Sequence, residues 1–280
     1  MKKCFLRLQV ALPLCLLALF AFAPLARSGG LDAFRNDKGE INVSGGTAHI
    51  PVMKEAAKRI MTANREVRVT IAGGGSGVGI KQVGEGLVDI GNSGRAPTEQ
   101  EIRQYSLHVF QWAIDGVGVV VNKGNPVKSL KKEELKKIFS GEINNWKTLG
   151  GQDRPINIYN RDEASGTREV FWEKGLEKGN ISLKANVVVS NGAMKSAVAN
   201  DLYAIGYVSV GHIDESIAPV ALEGVLPTIG NVKSGAHKIS RGLYSNTKGK
   251  PQGLTGKFID YLFTGEGQKI VTDHGFIAVK

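Results

Sequence analysis

Short β-type runs alternate with amphipathic helical patterns along nearly the whole chain, and this alternation constrains the fold more than any other feature of the sequence. The β-type runs cover residues 41–43, 67–71, 88–90, 117–121, 156–159, 187–189 and 204–210. The amphipathic segments between them cover residues 51–62, 131–139, 193–199 and 256–263. Strands that alternate with helices typically pair in parallel, so the pattern predicts an α/β fold with mainly parallel sheets flanked by helices.

The first residues of the chain have the layout of a secretory signal peptide. A basic start is followed by an apolar stretch over residues 10–23 and by small residues up to Ala26. This layout predicts a signal peptide over residues 1–26 and an exported, periplasmic mature protein. Both cysteines, Cys4 and Cys15, lie within that segment. We therefore expect the mature chain to contain no disulfide and to depend on a packed core for its stability.

The mature chain, residues 27–280, is long enough for one large domain or for two lobes with separate cores. Two segments have the character of crossings between lobes. Residues 115–121 form an apolar run with two glycines, which suits a hinge strand, and residues 219–230 are the candidate return. An ordinary buried strand and a surface loop would explain the same segments. The lobe interpretation predicts a discontinuous lobe 1 over residues 27–118 and 225–280 and a lobe 2 over residues 119–224.

The basic character of the chain favours anionic ligands, since its formal net charge is +10. Surface solubility explains such a balance equally well. The densest basic run, residues 128–137, carries Leu130 and Leu135 at helical spacing and is followed by Ile138 and Phe139. It predicts the solvated face of an amphipathic helix, and we expect no nucleic-acid partner.

Residues 161–167 place a guanidinium, two hydroxyls and a glycine just ahead of an apparent helix start. A helix start offers unpaired backbone N–H groups and the positive end of the macrodipole, and Gly166 allows the backbone to approach closely. Ser165 and Thr167 add hydroxyl donors. Arg161 supplies a permanent charge in a planar fork that matches tetrahedral anions. This run therefore predicts a site for an oxyanion.

Two further turns repeat this chemistry. The strand at residues 41–43 is followed by two glycines, Thr47 and a helix start near residue 51. The strand at residues 67–71 is followed by Gly-Gly-Gly-Ser-Gly at residues 73–77 and by another helical run. A single glycine-rich turn is commonly only a connection between a strand and a helix. Three turns with hydroxyls, one of which carries an arginine, indicate an anion-binding site.

Other motifs that hold phosphates or perform catalysis are not met. A Walker loop needs lysine directly after its second glycine, but Gly79 is followed by Ile80. The dinucleotide fingerprint fails in every register of residues 73–79, and the nucleophile elbow fails because valine stands at position 78. The five histidines show no metal-ligand spacing, and we interpret them as structural or surface residues. We therefore expect no metal, no cofactor and no catalytic residue.

Several short motifs follow one another in a characteristic order. They are Thr47-Ala48, Gly75-Ser76 and the segments at residues 88–91, 139–146, 161–167, 204–207 and 267–271. Together they resemble the successive motifs of the periplasmic phosphate-binding proteins of bacterial ABC transporters, over nearly all of the mature chain. The resemblance implies a type II periplasmic-binding fold, in which two α/β lobes are joined by two strands and the ligand lies in the cleft.

The resemblance also implies that the protein captures inorganic phosphate and delivers it to ABC permease subunits in the inner membrane. The lobes close over the anion because each supplies part of the site, and we expect the chain to act as a monomer. The implied ligand residues are Thr47, Ala48 and Ser76 on one lobe and Arg161, Ser165, Gly166 and Thr167 on the other, with Gly46, Gly75, Gly94 and Arg95 as further candidates.

Gly94 departs from the family pattern. Family members often have an aspartate at this position, and it accepts the proton that phosphate carries and sulfate lacks. A buried acceptor rejects an anion without a proton, because lone pairs would then face lone pairs. Asp162 or Glu163 is an alternative acceptor, although pairing with Arg161 or exposure to solvent suits each better. Arg95 is either a second cationic ligand or an exposed residue at the lobe edge.

Three other functions remain open from the sequence alone. The first is a receptor for another tetrahedral oxyanion, such as sulfate or molybdate. The second is a secreted phosphatase or serine hydrolase with Ser76 or Ser165 as nucleophile, although the sequence marks no paired histidine. The third is an adhesion or signalling role on the same fold, which would leave no sequence signal.

Overall fold

A computed structural model describes residues 30–279, so the predicted signal peptide, with Cys4 and Cys15, lies outside the described residues. The strands are β1 Gly39–Gly45, β2 Val67–Gly74, β3 Ile90–Ser93, β4 Leu107–Asn122, β5 Ser129–Leu130, β6 Asn157–Arg161, β7 Asn186–Val188, β8 Ala204–Ser209, β9 Ile217–Pro219, β10 Ala221–Leu222, β11 Ser240–Lys248 and β12 Ile277–Ala278. The α-helices are α1 Ile50–Ala63, α2 Ser76–Glu85, α3 Glu99–Tyr105, α4 Lys132–Ser140, α5 Gly166–Val170, α6 Asn191–Asn200, α7 Ile229–Lys233, α8 Gly253–Leu262 and α9 Gly265–Asp273. The predicted alternation of strands and helices is confirmed over this part of the chain.

The main sheet has parallel ends and an antiparallel middle. Its strand order is β2-β1-β3-β11-β4-β8-β6-β7, and β9 and β12 also pair with β4. The three strands at each end are parallel, whereas β11 and β4 run antiparallel to their neighbours. β4 changes partner along its length, because its residues up to Gly116 pair with β11 and those from Val117 pair with β8.

The two largest hydrophobic cores lie on either side of this change of partner. The first core is built from residues 34–113 and 243–276, and the second core from residues 117–239. The chain therefore passes from the first core to the second within β4 and returns at the start of β11. This return lies downstream of the crossing that the sequence placed at residues 219–230.

α4 is the amphipathic helix that the basic run predicts. Leu135, Ile138 and Phe139 bury its apolar face in the second core, while its lysines face outward. Burying such a side chain stabilises a fold by about 1.5–3 kcal/mol. Gly141 ends the helix with a φ of +88°, a left-handed conformation that glycine adopts without steric strain. None of the helices within residues 30–279 is long and apolar enough to cross a membrane.

β3 shows where pairing overrides local preference. The sequence predicts a strand at residues 88–90, but β3 begins at Ile90 and continues through Gly91 and Asn92, which have low intrinsic strand preference. These residues form a strand because β1 and β11 pair with their backbone from both sides. Their pairing brings the segment after β3 to the same sheet edge as the turns after β1 and β2.

Candidate anion-binding site

Three strand-to-helix turns meet at one cavity between the two cores. β1 leads to α1 and β2 leads to α2, and because these strands are parallel neighbours their turns share one sheet edge. The turn from β6 to α5 faces them from the side of the second core. The cavity comprises about 180 Å³ of space between protein atoms, part of which is open to solvent. It is lined by Gly46, Thr47, Ala48, His49, Gly75, Ser76, Gly94, Arg161, Ser165, Gly166, Thr167 and Arg241. The structure thus brings together every predicted ligand residue except Arg95.

The starts of α2 and α5 approach so closely that two positions require glycine. A Cβ added to Gly75 would lie 2.5 Å from Ala164 O, and a Cβ added to Gly166 would lie 2.1 Å from Ser76 Oγ. The Gly77 N–H donates to Ala164 O at 3.1 Å, so a backbone hydrogen bond joins the two walls of the cavity. The two walls can therefore approach this closely only because Gly75 and Gly166 have no side chains.

The hydroxyl oxygens of Thr47 and Ser76 accept hydrogen bonds from protein N–H groups. Thr47 Oγ1 accepts from the Asn191 backbone N–H at 3.2 Å and from Asn191 Nδ2 at 3.1 Å. Ser76 Oγ accepts from the Gly94 N–H at 2.9 Å. A hydroxyl has one proton, and an oxygen that accepts from the protein keeps that proton for another acceptor. Both hydroxyls are therefore suited to donate into the cavity.

Ser165 and Thr167 follow the same pattern in the opposite wall. Ser165 is the N-cap of α5, and its Oγ accepts from the Arg168 N–H at 3.2 Å. Thr167 Oγ1 accepts from Asn191 Nδ2 at 3.5 Å. The first N–H groups of α2 and α5 have no partners inside their own helices. The two turns therefore present donors, which suit an anion and repel a cation.

Arg161 is a buried cation that the protein satisfies only in part. Its side chain is 1% exposed, Nε donates to Val188 O at 3.0 Å, and Nη2 donates to Val189 O at 3.1 Å. Asp162 Oδ2 lies 3.5 Å from Nη2, while Nη1 is buried without a hydrogen-bond partner. Burial lowers the pKa of Arg161, because the charge is poorly solvated. Glu163, the other alternative acceptor, is exposed.

The structure adds a second arginine to the wall, Arg241, which sequence reasoning missed. Its Nε and Nη2 lie 3.0 and 2.8 Å from Asp115 Oδ2. Asp115 Oδ1 accepts from Ser209 Oγ at 2.9 Å. Burial raises the pKa of Asp115, and the Arg241 guanidinium opposes that rise. One signal was present in the sequence, since Asp115 heads an apolar strand run and a buried carboxylate requires a cationic partner.

Gly94 leaves the space that Arg241 occupies. A Cβ added to Gly94 would lie 2.6 Å from Arg241 Nη1, and this Nη1 donates to Gly94 O at 3.3 Å. An aspartate at position 94 would require Arg241 to move. The structure therefore places a guanidinium beside the position where the resemblance leads us to expect a carboxylate.

Arg95 lies outside the cavity lining. Its guanidinium contacts Glu101 at 2.7 Å and Glu169 at 2.8 Å. Glu169 belongs to α5, so this pair links the segment after β3 to the opposite wall. Arg95 is thus placed to join the two sides of the cleft, and its ion-pair partners are Glu101 and Glu169 of the protein itself.

His49 is the one histidine among the residues that line the cavity. Sequence reasoning grouped it with the other histidines, because no spacing distinguishes it. Within residues 30–279, no group of three or more His, Cys, Asp or Glu side chains is placed to hold a metal ion.

Comparison with known proteins gives consistent matches over most of the chain. A family model for the PBP superfamily domain matches residues 33–266. The phosphate-binding protein PstS of Bacillus subtilis is 38% identical over 244 residues, which cover 86% of this chain and 81% of that protein. A putative phosphate ABC transporter substrate-binding protein from Clostridium perfringens, solved with bound phosphate, is 35% identical with a TM-score of 0.81, covering 86% of this chain and 100% of that chain. An ABC-type phosphate transport receptor from Vibrio cholerae is 32% identical with a TM-score of 0.69, covering 85% of this chain and 100% of that chain.

Proposed function

Because the chain belongs to the phosphate-binding proteins of the PBP superfamily, we propose that it captures inorganic phosphate in the described cavity and delivers it to the permease of an ABC transporter. Membership of this family confirms the predicted two-lobed α/β fold. The observation that carries the proposal is the unpartnered Arg161 Nη1 in a cavity whose hydroxyls and helix starts are donors. A compact anion with several acceptor oxygens fits that arrangement.

The proposed ligand groups divide between the two walls. Four hydroxyls donate to the oxygens of the anion, and the backbone N–H groups of Ala48 and Gly166 add to them. Arg161 binds with its free Nη1. Gly46, Gly75 and Gly94 contribute backbone, and neighbouring groups leave no room for a side chain at any of them. The four hydroxyls belong to Thr47, Ser76, Ser165 and Thr167.

The strength of binding follows from these donors. A hydrogen bond to a charged group contributes about 1.5–3 kcal/mol net. Several such bonds have to offset the dehydration of the anion and the ordering of the two walls. Micromolar binding corresponds to about −8 kcal/mol, and this number of donors supports such an affinity or a tighter one.

Closure of two lobes accompanies capture in this proposal. The sequence predicts lobe 1 over residues 27–118 and 225–280 and lobe 2 over residues 119–224. Because the second core extends to Ile239, we propose that the return to lobe 1 lies at the start of β11, Ser240. Contacts that join the walls around the cavity support closure, since Asn191 donates to Thr47 and Arg95 pairs with Glu169. An anion that engages both walls favours this closed arrangement over an open one.

Delivery of phosphate to a permease of the inner membrane requires a protein outside the cytoplasm. We propose that residues 1–26 direct export to the periplasm and that the monomeric, loaded protein docks on permease subunits of the inner membrane. We assign no catalytic role to Ser76 or Ser165. Each of their oxygens accepts from a backbone N–H, whereas a nucleophile needs a neighbouring base.

Isothermal titration of residues 27–280 with phosphate tests this function. We expect saturable heat with one site per chain at micromolar protein. The Arg161→Ala variant, titrated in parallel, is expected to give no such heat. Phosphate that produces no heat with the unaltered protein would exclude phosphate capture.

A further inference from the structure

His49 combines complete burial with an unused acceptor atom. The side chain is fully buried, and Nε2 lies 3.1 Å from Ser93 O. A carbonyl oxygen only accepts, so Nε2 carries the proton and donates it. In a neutral ring, Nδ1 then has a lone pair and no proton. Nδ1 is buried and has no hydrogen-bond partner in the protein.

Nδ1 also lies beside the anion cavity. A Cβ added to Gly46 would lie 2.6 Å from His49 Nδ1, and both residues line the cavity. The ring is held in place, because Trp112 packs against it in a T-shaped geometry with ring centroids 5.5 Å apart. His49 therefore brings a fixed lone pair to a cavity that is otherwise rich in donors.

The surroundings keep this ring neutral. Burial, assisted by the positive charge of Arg241, lowers the pKa of His49 to about 3. The carboxylate that lies nearest to Arg241, Asp115, is engaged by that guanidinium and by Ser209. Burial likewise lowers the pKa of His212, which lies near the backbone of Ala48 and Thr47, to about 4, so this ring is also neutral.

We propose that His49 Nδ1 accepts the proton of bound hydrogen phosphate and thereby makes the site select a protonated oxyanion over sulfate. This inference rests on the proposed function and extends it to the question that Gly94 raises. Position 94 has no side chain to accept a proton, and the oxygens of Asp115 are already engaged. An anion without a proton would place an oxygen lone pair against the lone pair of Nδ1, with no hydrogen bond between them.

The first test uses the unaltered protein and three dianionic ligands at pH 7.5. Phosphate carries a proton at this pH, whereas sulfate and monofluorophosphate are similar tetrahedral anions without one. We expect both proton-free anions to bind at least about 100-fold more weakly than phosphate in calorimetric titrations. Binding of monofluorophosphate within about threefold of phosphate would overturn the role of His49.

The second test removes the acceptor and retains the donor. In His49→Gln, the amide nitrogen replaces Nε2 toward Ser93 O, and no atom remains at the position of Nδ1. We expect the ratio of sulfate to phosphate dissociation constants to fall at least about tenfold. His237→Gln is the matched control, because His237 Nε2 lies 2.9 Å from Val117 O outside the cavity lining. Its ratio is expected to stay at the parent value.

The outcomes separate the two proposals. If the unaltered protein does not bind phosphate, the proposed function is wrong. If it binds phosphate and the folded His49→Gln variant keeps the parent ratio, only the assignment of His49 is wrong. Should His49→Gln fail to fold, as circular dichroism would reveal, the monofluorophosphate comparison still decides the matter.

Discussion

The two arginines in the cavity wall are both buried, but they are satisfied in opposite ways. Arg241 forms an ion pair with Asp115, with Nη2 2.8 Å from Oδ2, and both side chains are almost completely excluded from solvent. Arg161 donates hydrogen bonds to two backbone carbonyls, and its Nη2 lies 3.5 Å from Asp162 Oδ2. Its Nη1 has no hydrogen-bond partner. One guanidinium is therefore neutralised within the fold, and the other retains charge for something that enters the cavity.

This difference separates structural roles from binding roles. Removing one member of a neutralised buried pair leaves an uncompensated charge and costs stability. Removing Arg161 instead weakens ligand binding, because its unpartnered Nη1 contributes no hydrogen bond to the folded protein. The contrast predicts distinct phenotypes for two residues of the same type in the same wall.

The largest effect is expected for Arg241→Ala. The variant leaves the Asp115 carboxylate buried without its partner, so the free energy of unfolding should fall by about 3–5 kcal/mol in urea denaturation. The control is the double variant Arg241→Met with Asp115→Leu, which removes both charges and should recover most of the loss. A fall of less than about 1 kcal/mol in the single variant would contradict the pairing.

Arg161→Ala is expected to act on binding. Phosphate affinity should fall at least about 100-fold, which corresponds to about 3 kcal/mol, because a buried hydrogen-bonded charge is lost from the site. The free energy of unfolding without phosphate should stay within about 1 kcal/mol of the parent value. Arg161→Lys should also bind weakly, since lysine lacks the planar fork. Calorimetry and urea denaturation of the same samples measure both quantities, and unchanged affinity in either variant would remove Arg161 from the site.

The burial of His49, together with the positive charge of Arg241, also makes the stability of the fold depend on pH. The unfolded chain binds a proton on this histidine near pH 6.5, whereas the folded chain does so only near pH 3. The contribution of His49 to stability is therefore complete above pH 6.5 and is lost as the pH falls toward 3, with a slope of up to about 1.4 kcal/mol per pH unit. Unfolding free energies at pH 5.0 and 6.5 should show a smaller slope for His49→Gln than for the parent. Equal slopes would contradict the buried neutral state.

The smallest effect is expected at the link between the walls. Arg95 and Glu169 are 15% and 43% exposed, so water screens their attraction. Glu169→Gln should weaken phosphate binding by less than about 1 kcal/mol and speed dissociation in stopped-flow experiments, more at low salt than at high salt. Glu173→Gln, which removes an exposed partner of Lys178 at 3.5 Å, is the matched control and should leave dissociation unchanged. Faster dissociation in both variants would remove the link.

Much of this arrangement is predictable from the sequence because the turns are local. Thr47 and Ser165 each follow a strand and precede a helix, and Ser76 follows a strand and begins a helix. That order alone brings their hydroxyls to helix starts. The alternating pattern likewise predicts most strands and helices. Neighbouring residues along the chain are sufficient for these inferences.

The residues that were missed depend on distant partners. Arg241 is one basic residue in a strand, and its position in the wall depends on pairing with Asp115 on β4. His49 acquires its unused lone pair only because Ser93 O engages the opposite nitrogen. Arg95 lies outside the cavity lining and pairs with Glu101 and Glu169, of which Glu169 is distant in sequence. Such relations arise in the folded chain and leave no periodic pattern.

The close approach of Gly75 and Gly166 has a consequence for evolution and design. The distance 2.1 Å from an added methyl group at position 166 to Ser76 Oγ means that alanine there would act as a wedge between the walls. The absence of a side chain at Gly75 and at Gly166 thus limits how far the two walls can close. A single added carbon atom at either position would hold the walls apart and prevent full closure.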